Sequence, residues 1–301
     1  MRNTSRALLV VALILFWAPR AELAGIEPVG KVSIQGGAEK EDGYNAGGRG
    51  TIELLGVMPV AGNFGLQGIG HYVGGLGSRF GLSAGPIFSW GSGKAGLFVA
   101  YQYRTLHDNN FVHLRPSVAF YLNQANINLY YSHPISSPQR DHSSFSCFPF
   151  TCRRTNVENG INHLEGTFSY FPGFDLASFL RKDNLEITIG VQGNSFGGVG
   201  SGKTPNGVGP VFGVAFMPMK GVEVNLVKGT IDHHGRYNVL AGLSFYFDKA
   251  GDTLKMLRRR YLEPNQFAPN AGSRRSSPTG PVLRGNPCQT LTSTMASAVA
   301  C

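Results

Sequence analysis

Charge is scarce in this chain: Asp, Glu, Lys and Arg make up only 15% of its 301 residues. A second lack is of long apolar runs. Beyond the first two dozen residues, no stretch approaches the roughly 20 apolar residues that a membrane-spanning helix needs. Cysteine is sparse too, at four residues. Cys147 and Cys152 are near neighbours, as are Cys288 and Cys301 in the tail. In an exported protein these pairs suggest disulfides, with two local bridges the simplest of the three possible connectivities. Zinc is the weaker alternative, because the two pairs are far apart and no His stands at ligand spacing. No metal or cofactor is expected. What is abundant is glycine, at 41 residues, together with 20 Phe and 11 Tyr. That mixture describes a β-rich, turn-rich chain rather than a helical enzyme.

Export is read from the N-terminus. Arg2 and Arg6 precede an apolar stretch over 7–18, followed by Pro19 and the small residues Ala24 and Gly25. A basic region, a short apolar region and a small-residue zone form a secretory signal peptide over 1–24. Glu22 stands where a small residue is preferred for cleavage after Ala24, so the cleaved bond is left open. The net charge of +9 is unevenly placed. Residues 252–301 carry seven Lys and Arg against two acids, and residues 25–251 are nearly neutral.

Over 95–132 apolar and polar residues alternate with a period of two. Leu114, Pro116, Val118, Phe120 and Leu122 make one face, and His113, Arg115, Ser117, Ala119, Tyr121 and Asn123 make the other. Successive side chains of a strand point to opposite sides, so this is a ribbon with one oily and one aqueous surface. The runs are about ten residues long, which suits a tilted strand crossing a bilayer better than the five or six residues of a soluble sandwich. Such runs between turn signals predict twelve strands: 30–40, 48–61, 64–74, 79–90, 94–105, 111–123, 125–133, 161–171, 185–195, 208–218, 222–231 and 236–247. Alternate connections are tight, as at Gly62-Asn63, Ser92-Gly93, Gln124 and Lys220-Gly221. The others are mostly longer, notably 134–160 and 196–207. The stretch 175–184 is a long connection on the short side.

Faces follow from parity. Outward candidates are Phe80, Leu82, Phe88 and Trp90; Leu97, Val99, Tyr101 and Tyr103; Ile187, Ile189 and Val191; and Tyr237, Val239, Ala241, Leu243, Phe245 and Phe247. Trp90, Tyr170, Tyr237, Phe245 and Phe247 fall near strand ends, where membrane barrels carry aromatic girdles. The inward, lumen-lining candidates are Glu53, Gln67, His71, Gln102, Arg104, His113, Arg115, His163, Glu165, Glu186, Gln192, Asn194, Glu223 and Asn225.

On this pattern residues 30–247 resemble the bacterial outer-membrane β-barrel superfamily. Leu243-Ser244-Phe245-Tyr246-Phe247 looks like the aromatic terminal strand that such proteins present to the barrel-assembly machinery. The usual arrangement is altered by about fifty residues that follow it. The resemblance implies an all-β fold, a closed antiparallel transmembrane barrel of about twelve strands over 25–251. It also implies an outer-membrane location with short turns in the periplasm, and membrane lipid as partner.

Several motifs compete with plainer readings. Residues 197–204 match the phosphate-loop string G-x-x-x-x-G-K-[ST], but Pro205-Asn206-Gly207 follows where that loop needs a helix. A Gly-rich loop is the better reading. A Cys147–Cys152 bridge would present Phe148 and Phe150 beside Arg153 and Arg154. That knuckle suits a partner or anionic lipopolysaccharide, or is simply a loop over the barrel mouth. His142 and Ser144, near Ser132 and His133, would be the groups of an outer-membrane hydrolase, and His233-His234 read as solvated. The tail is expected to be a basic, largely disordered periplasmic extension over 252–301, opening with a short helix at 254–261. Arg258, Arg259 and Arg260 are placed either in solvent or against lipid headgroups. Export disfavours nucleic-acid binding. The leading functional expectation is a passive porin-like channel for small polar solutes. A non-conducting barrel for adhesion, recognition or anchoring is the runner-up, and a lipid or peptide hydrolase comes third.

Overall fold

The computed structural model describes residues 29–40, 45–75, 78–105, 109–136, 139–147, 150–177, 180–196, 207–232, 235–247, 252–263 and 271–275; of residues 109, 139–147, 150–161, 195–196 and 271–275 it describes the backbone alone. The proposed leader and the cysteines Cys288 and Cys301 lie outside the described residues, as do the side chains of Cys147 and Cys152.

The strands are β1 (Val29–Lys40), β2 (Gly47–Ala61), β3 (Phe64–Gly74), β4 (Arg79–Trp90), β5 (Gly93–Arg104), β6 (Asn109–Tyr121), β7 (Ala125–Pro134), β8 (Gln139–Cys147), β9 (Phe150–Tyr170), β10 (Leu185–Phe196), β11 (Gly207–Met219), β12 (Val222–Ile231) and β13 (Tyr237–Tyr246). A short helix α1 (Leu254–Arg258) and a strand β14 (Ala271–Arg275) follow. Every pairing is antiparallel, and β1 pairs both β2 and β13 while β9 pairs both β7 and β10. The sheet therefore closes on itself as a twelve-stranded barrel, with β8 and β14 outside the ring.

Parity sets the two surfaces. Exposed side chains form an apolar belt that includes Ile34, Ile52, Leu66, Leu82, Leu97, Val99, Leu129, Phe168, Ile189, Val191 and Leu243. A hydrocarbon surround is the environment in which such a belt is stable. Near the turn end, Phe64, Phe88, Trp90 and Phe120 form a contiguous aromatic chain, with ring centroids 4.9, 6.1 and 6.3 Å apart in sequence. Apart from 171–184, the connections at this end are turns of two or three residues, with Gly62 and Gly221 at positive φ. Such conformations cost glycine nothing and other residues something.

Two regions differ from expectation. Part of the connection 134–160 is strand: β8 pairs with the upper half of a 21-residue β9. Its polar residues on both parities carry no period-two hydrophobic signal, which is why the pattern misses it. The second difference is larger. Residues 252–263 are not a solvated extension; they fold into the turn end of the barrel. The physical cause is a ready-made apolar ring. Val29, Leu55, Val57, Ile69, Ile87, Phe98, Ala215 and Met217 all point inward there and bury Leu254, Leu257, Tyr261 and Leu262.

Candidate functional site: a barrel interior occupied by its own chain

The docking of 252–263 begins at its cap. Thr253 adopts extended backbone, and its hydroxyl accepts from the Met256 amide at 3.3 Å, as a helix N-cap should. Leu254, Leu257 and Tyr261 recur at i, i+3 and i+7, one face of a helix, and that face is in the core. The 171–184 connection holds the other side. Leu254 donates from its amide to Asn184 Oδ1 at 3.0 Å, and Lys255 reaches the Asp183 carboxylate at 2.7 Å. Asp183 is the one described non-glycine residue at positive φ, 64°. The unusual length of this connection thus serves a cradle for α1.

Beyond the helix, polar groups of the wall meet the backbone. Lys94 Nζ donates to the carbonyls of Arg259 and Arg260 at 3.0 and 2.6 Å, placing a cation against the helix C-terminus. Gln67 both accepts from the Leu262 amide, at 2.9 Å, and donates to the Leu262 carbonyl. Arg259 lies over the Tyr121 ring, 5.2 Å from its centroid, and donates to Asn126 Oδ1 at 3.0 Å.

Arg258 is the electrostatic centre. It meets Glu186 at 2.7 Å, Glu223 at 2.8 Å and Glu263 at 2.9 Å, and also donates to the Tyr246 hydroxyl at 3.2 Å. Tyr246 in turn donates to Glu223. Lys31 joins the network through Glu53 at 3.2 Å and Glu263 at 3.0 Å. Burial favours the neutral form of Glu263, yet Arg258 and Lys31 outweigh it and hold that carboxyl well below the ordinary range. Beside this network is a polar cavity of about 100 Å³, lined by Asn126, Glu165, Thr188, Asn225, Lys228 and Glu263 among others.

Above the ion-pair layer the interior remains polar. Glu53, Gln67, His71, Gln102, Arg104, His113, Arg115, His163, Glu165, Glu186, Gln192, Asn194, Glu223 and Asn225 are all buried on the inner face. Pattern reasoning omitted Lys31, Glu39, Arg49, Arg79 and Lys94, which share parity with inward neighbours on their strands and are buried with them. Glu39 bridges Arg49 at 2.9 Å and Arg79 at 3.4 Å. His163 contacts Asn194 at 2.6 Å and Glu165 at 3.3 Å. His113 contacts Ser132 at 3.2 Å, but both are 0% exposed and His113 Nε2 has no hydrogen-bond partner. A serine–histidine contact with no carboxylate on the far nitrogen and no solvent access is a packed polar pair rather than a nucleophile and its base. The side chains of His142 and Ser144 lie outside the described residues. So do residues 197–204, between β10, which ends at Phe196, and β11, which begins at Gly207.

No family model and no curated protein matches this chain. Solved structures do. One, reported under the words "Unveiling the Mechanism Behind the in-meso Crystallization of Membrane Proteins", has a TM-score of 0.55 at 14% identity, covering 83% of this chain and 99% of the other. The KdgM porin gives 0.44 at 12% identity over 72% and 99% of the two chains. The translocator domain of the autotransporter NalP from Neisseria meningitidis gives 0.37 at 10% identity over 82% and 96%. The likeness to the first of these is one of fold, a closed antiparallel β-barrel.

Proposed function

We propose that the protein is an outer-membrane channel for small polar solutes, held closed at its periplasmic end by its own residues 252–263. One observation carries this reading: the inner wall has an apolar ring only where α1 docks, and its other buried groups, there and above, are mostly polar or charged. A wall needed only as a filled core would gain nothing from buried ion pairs, since well-packed apolar residues of similar volume are often more stable. Wall groups such as Lys31, Glu53, Glu186, Glu223 and Lys94 would instead be hydrated when the segment leaves. Both signs of charge line the interior: Arg49, Arg79, Arg104 and Arg115 stand on β2, β4, β5 and β6, with Glu39 and Glu53 on β1 and β2, and Glu165, Glu186 and Glu223 on β9, β10 and β12. Such a lining favours polar solutes.

The reading is tested by single-channel recording in planar bilayers with wild type and Arg258→Glu. The variant sets a fourth carboxylate among Glu186, Glu223 and Glu263 and expels α1. Frequent, larger conductance steps are expected from the variant, against rare ones from wild type. A folded, heat-modifiable variant that never conducts would sink the channel and favour the non-conducting barrel. That alternative draws on the tight packing of His113, Arg115 and His163, each at most 1% exposed.

A further inference from the structure

Two anchors fix the course of the C-terminal segment. The first is inside the lower barrel: Leu262 is hydrogen-bonded to Gln67, and Glu263 to Lys31. The second is β14, whose backbone pairs with β9 from Ala271 opposite Gly160 to Arg275 opposite Asn156. That part of β9 is above the ring, because its pairing with β10 ends at Ile161 opposite Phe196 and its pairing with β7 at His163 opposite Ser132.

The chain between the anchors is short. From 263 to 271 is eight peptide steps, at most about 28 Å when fully extended. A tilted strand rises about 2.5 Å per residue along the barrel axis, so Gly160 stands about 25 Å above the lower end of β9 at Tyr170. Gln67 and Lys31 stand only about 5–8 Å above the lower mouth on the same measure. A path through the lumen therefore climbs about 20 Å, which the link can span. A path that left by the lower mouth would descend about 5–8 Å and climb about 25 Å again, exceeding the reach before any length is spent passing under the wall. It would also drag unpaired backbone through hydrocarbon, at several kcal/mol per group.

We infer that the barrel threads its own C-terminal segment through the lumen and presents residues 276–301 on the face opposite the tight turns, the cell exterior. The direction of β14 agrees. Strand β9 descends into the barrel and β14 is antiparallel to it, so at Arg275 the chain is heading away from the membrane. This adds a topological feature, a C-terminal end carried to the face opposite the tight turns, and it does not depend on whether the lumen conducts.

The test uses full-length protein in cells with one of three epitopes: fused after Cys301, inserted between Gly91 and Ser92 in the β4–β5 turn, or inserted between Ser201 and Gly202 in the β10–β11 connection. Antibody binding is compared before and after outer-membrane permeabilisation, with heat-modifiable mobility confirming a folded barrel. The C-terminal epitope is expected to bind on intact cells as fully as the 201/202 epitope, and the 91/92 epitope only after permeabilisation. If the C-terminal epitope reports the same side as the 91/92 epitope, threading is overturned, whichever way the barrel faces. Trypsin added to intact cells gives a second readout. It should remove the C-terminal epitope and leave the barrel, and an epitope retained in the face of external trypsin counts against display.

Discussion

Arg258 concentrates the interior electrostatics in one side chain, and its loss is costly because three carboxylates remain behind it. Removing one partner of a buried ion pair costs about 3–5 kcal/mol, far more than the intact pair contributes. Glu263 is milder, since Lys31 keeps Glu53 and Arg258 keeps Glu186 and Glu223. Its folded-state pKa is depressed, so its contribution is full above the ordinary carboxylate value of about 4.3 and is lost only as pH falls through the lower folded value. Acidification from pH 7 to 5 should therefore leave this contact in place, whereas Glu263→Gln should weaken docking at both pH values by about 2 kcal/mol. Hydrogen exchange of the Leu257 and Leu262 amides reads both; opening of the wild type at pH 5 would contradict the assignment. Gly96 is a second sensitive position. A Cβ there would come within 2.9 Å of Leu262 Cδ1 and of the Phe98 ring. Gly96→Val should unseat Leu262 and raise the frequency of conductance steps, while Gly50→Val, where a Cβ meets nothing within 4 Å, should not.

At the scale of elements, α1 has five residues, too few to be helical on propensity alone. Packing and capping must hold it. Leu257→Ala should cost the docked state about 2–5 kcal/mol and Thr253→Ala about 1 kcal/mol. The check is protease susceptibility of 252–263 in folded protein, with Leu257→Ala cut much faster than Thr253→Ala; equal rates would mean that the apolar face does not hold the segment. The strands were legible in the sequence because inward and outward residues differ so sharply in polarity that parity alone places Gln102, His113 and Arg115. The docked segment was not, although two signals existed. In β2 alternation fails at Leu54, Leu55, Val57 and Met58, where both faces are apolar, so the inner face there requires an apolar guest. Leu254, Leu257 and Tyr261 supply the matching stripe, but Arg258, Arg259 and Arg260 within it dominate the local composition and read as a solvated run. Their three positive charges lose that meaning once Glu186, Glu223 and the turn carbonyls of Leu122 and Asn123 are found opposite them.

For the whole molecule, the arrangement inverts a soluble protein: the oily surface is outside and the charges are inside. Its stability then depends on where a new charge is placed, and the two faces of one strand give a controlled comparison. On β5, Val99 is 53% exposed in the belt, while its neighbour Ala100 is buried on the inner face. An Arg on the lipid side at mid-membrane costs about 2–4 kcal/mol, which is a large fraction of the stability of a typical domain. A basic group at position 100 would stand between its ladder partners Ser83 and His113 on the polar inner face, so its cost is set by crowding there rather than by hydrocarbon. Val99→Arg should therefore lower the midpoint of chemical unfolding in lipid vesicles and delay folding from urea. Val99→Thr, of nearly equal volume, separates polarity from charge and should cost much less. In detergent above its micelle concentration the penalty of Val99→Arg should shrink, because a thin, deformable micelle lets the guanidinium reach water. A barrel core shielded by protein would give the same loss in vesicles and in micelles, and that result would remove lipid from the account of the outer face.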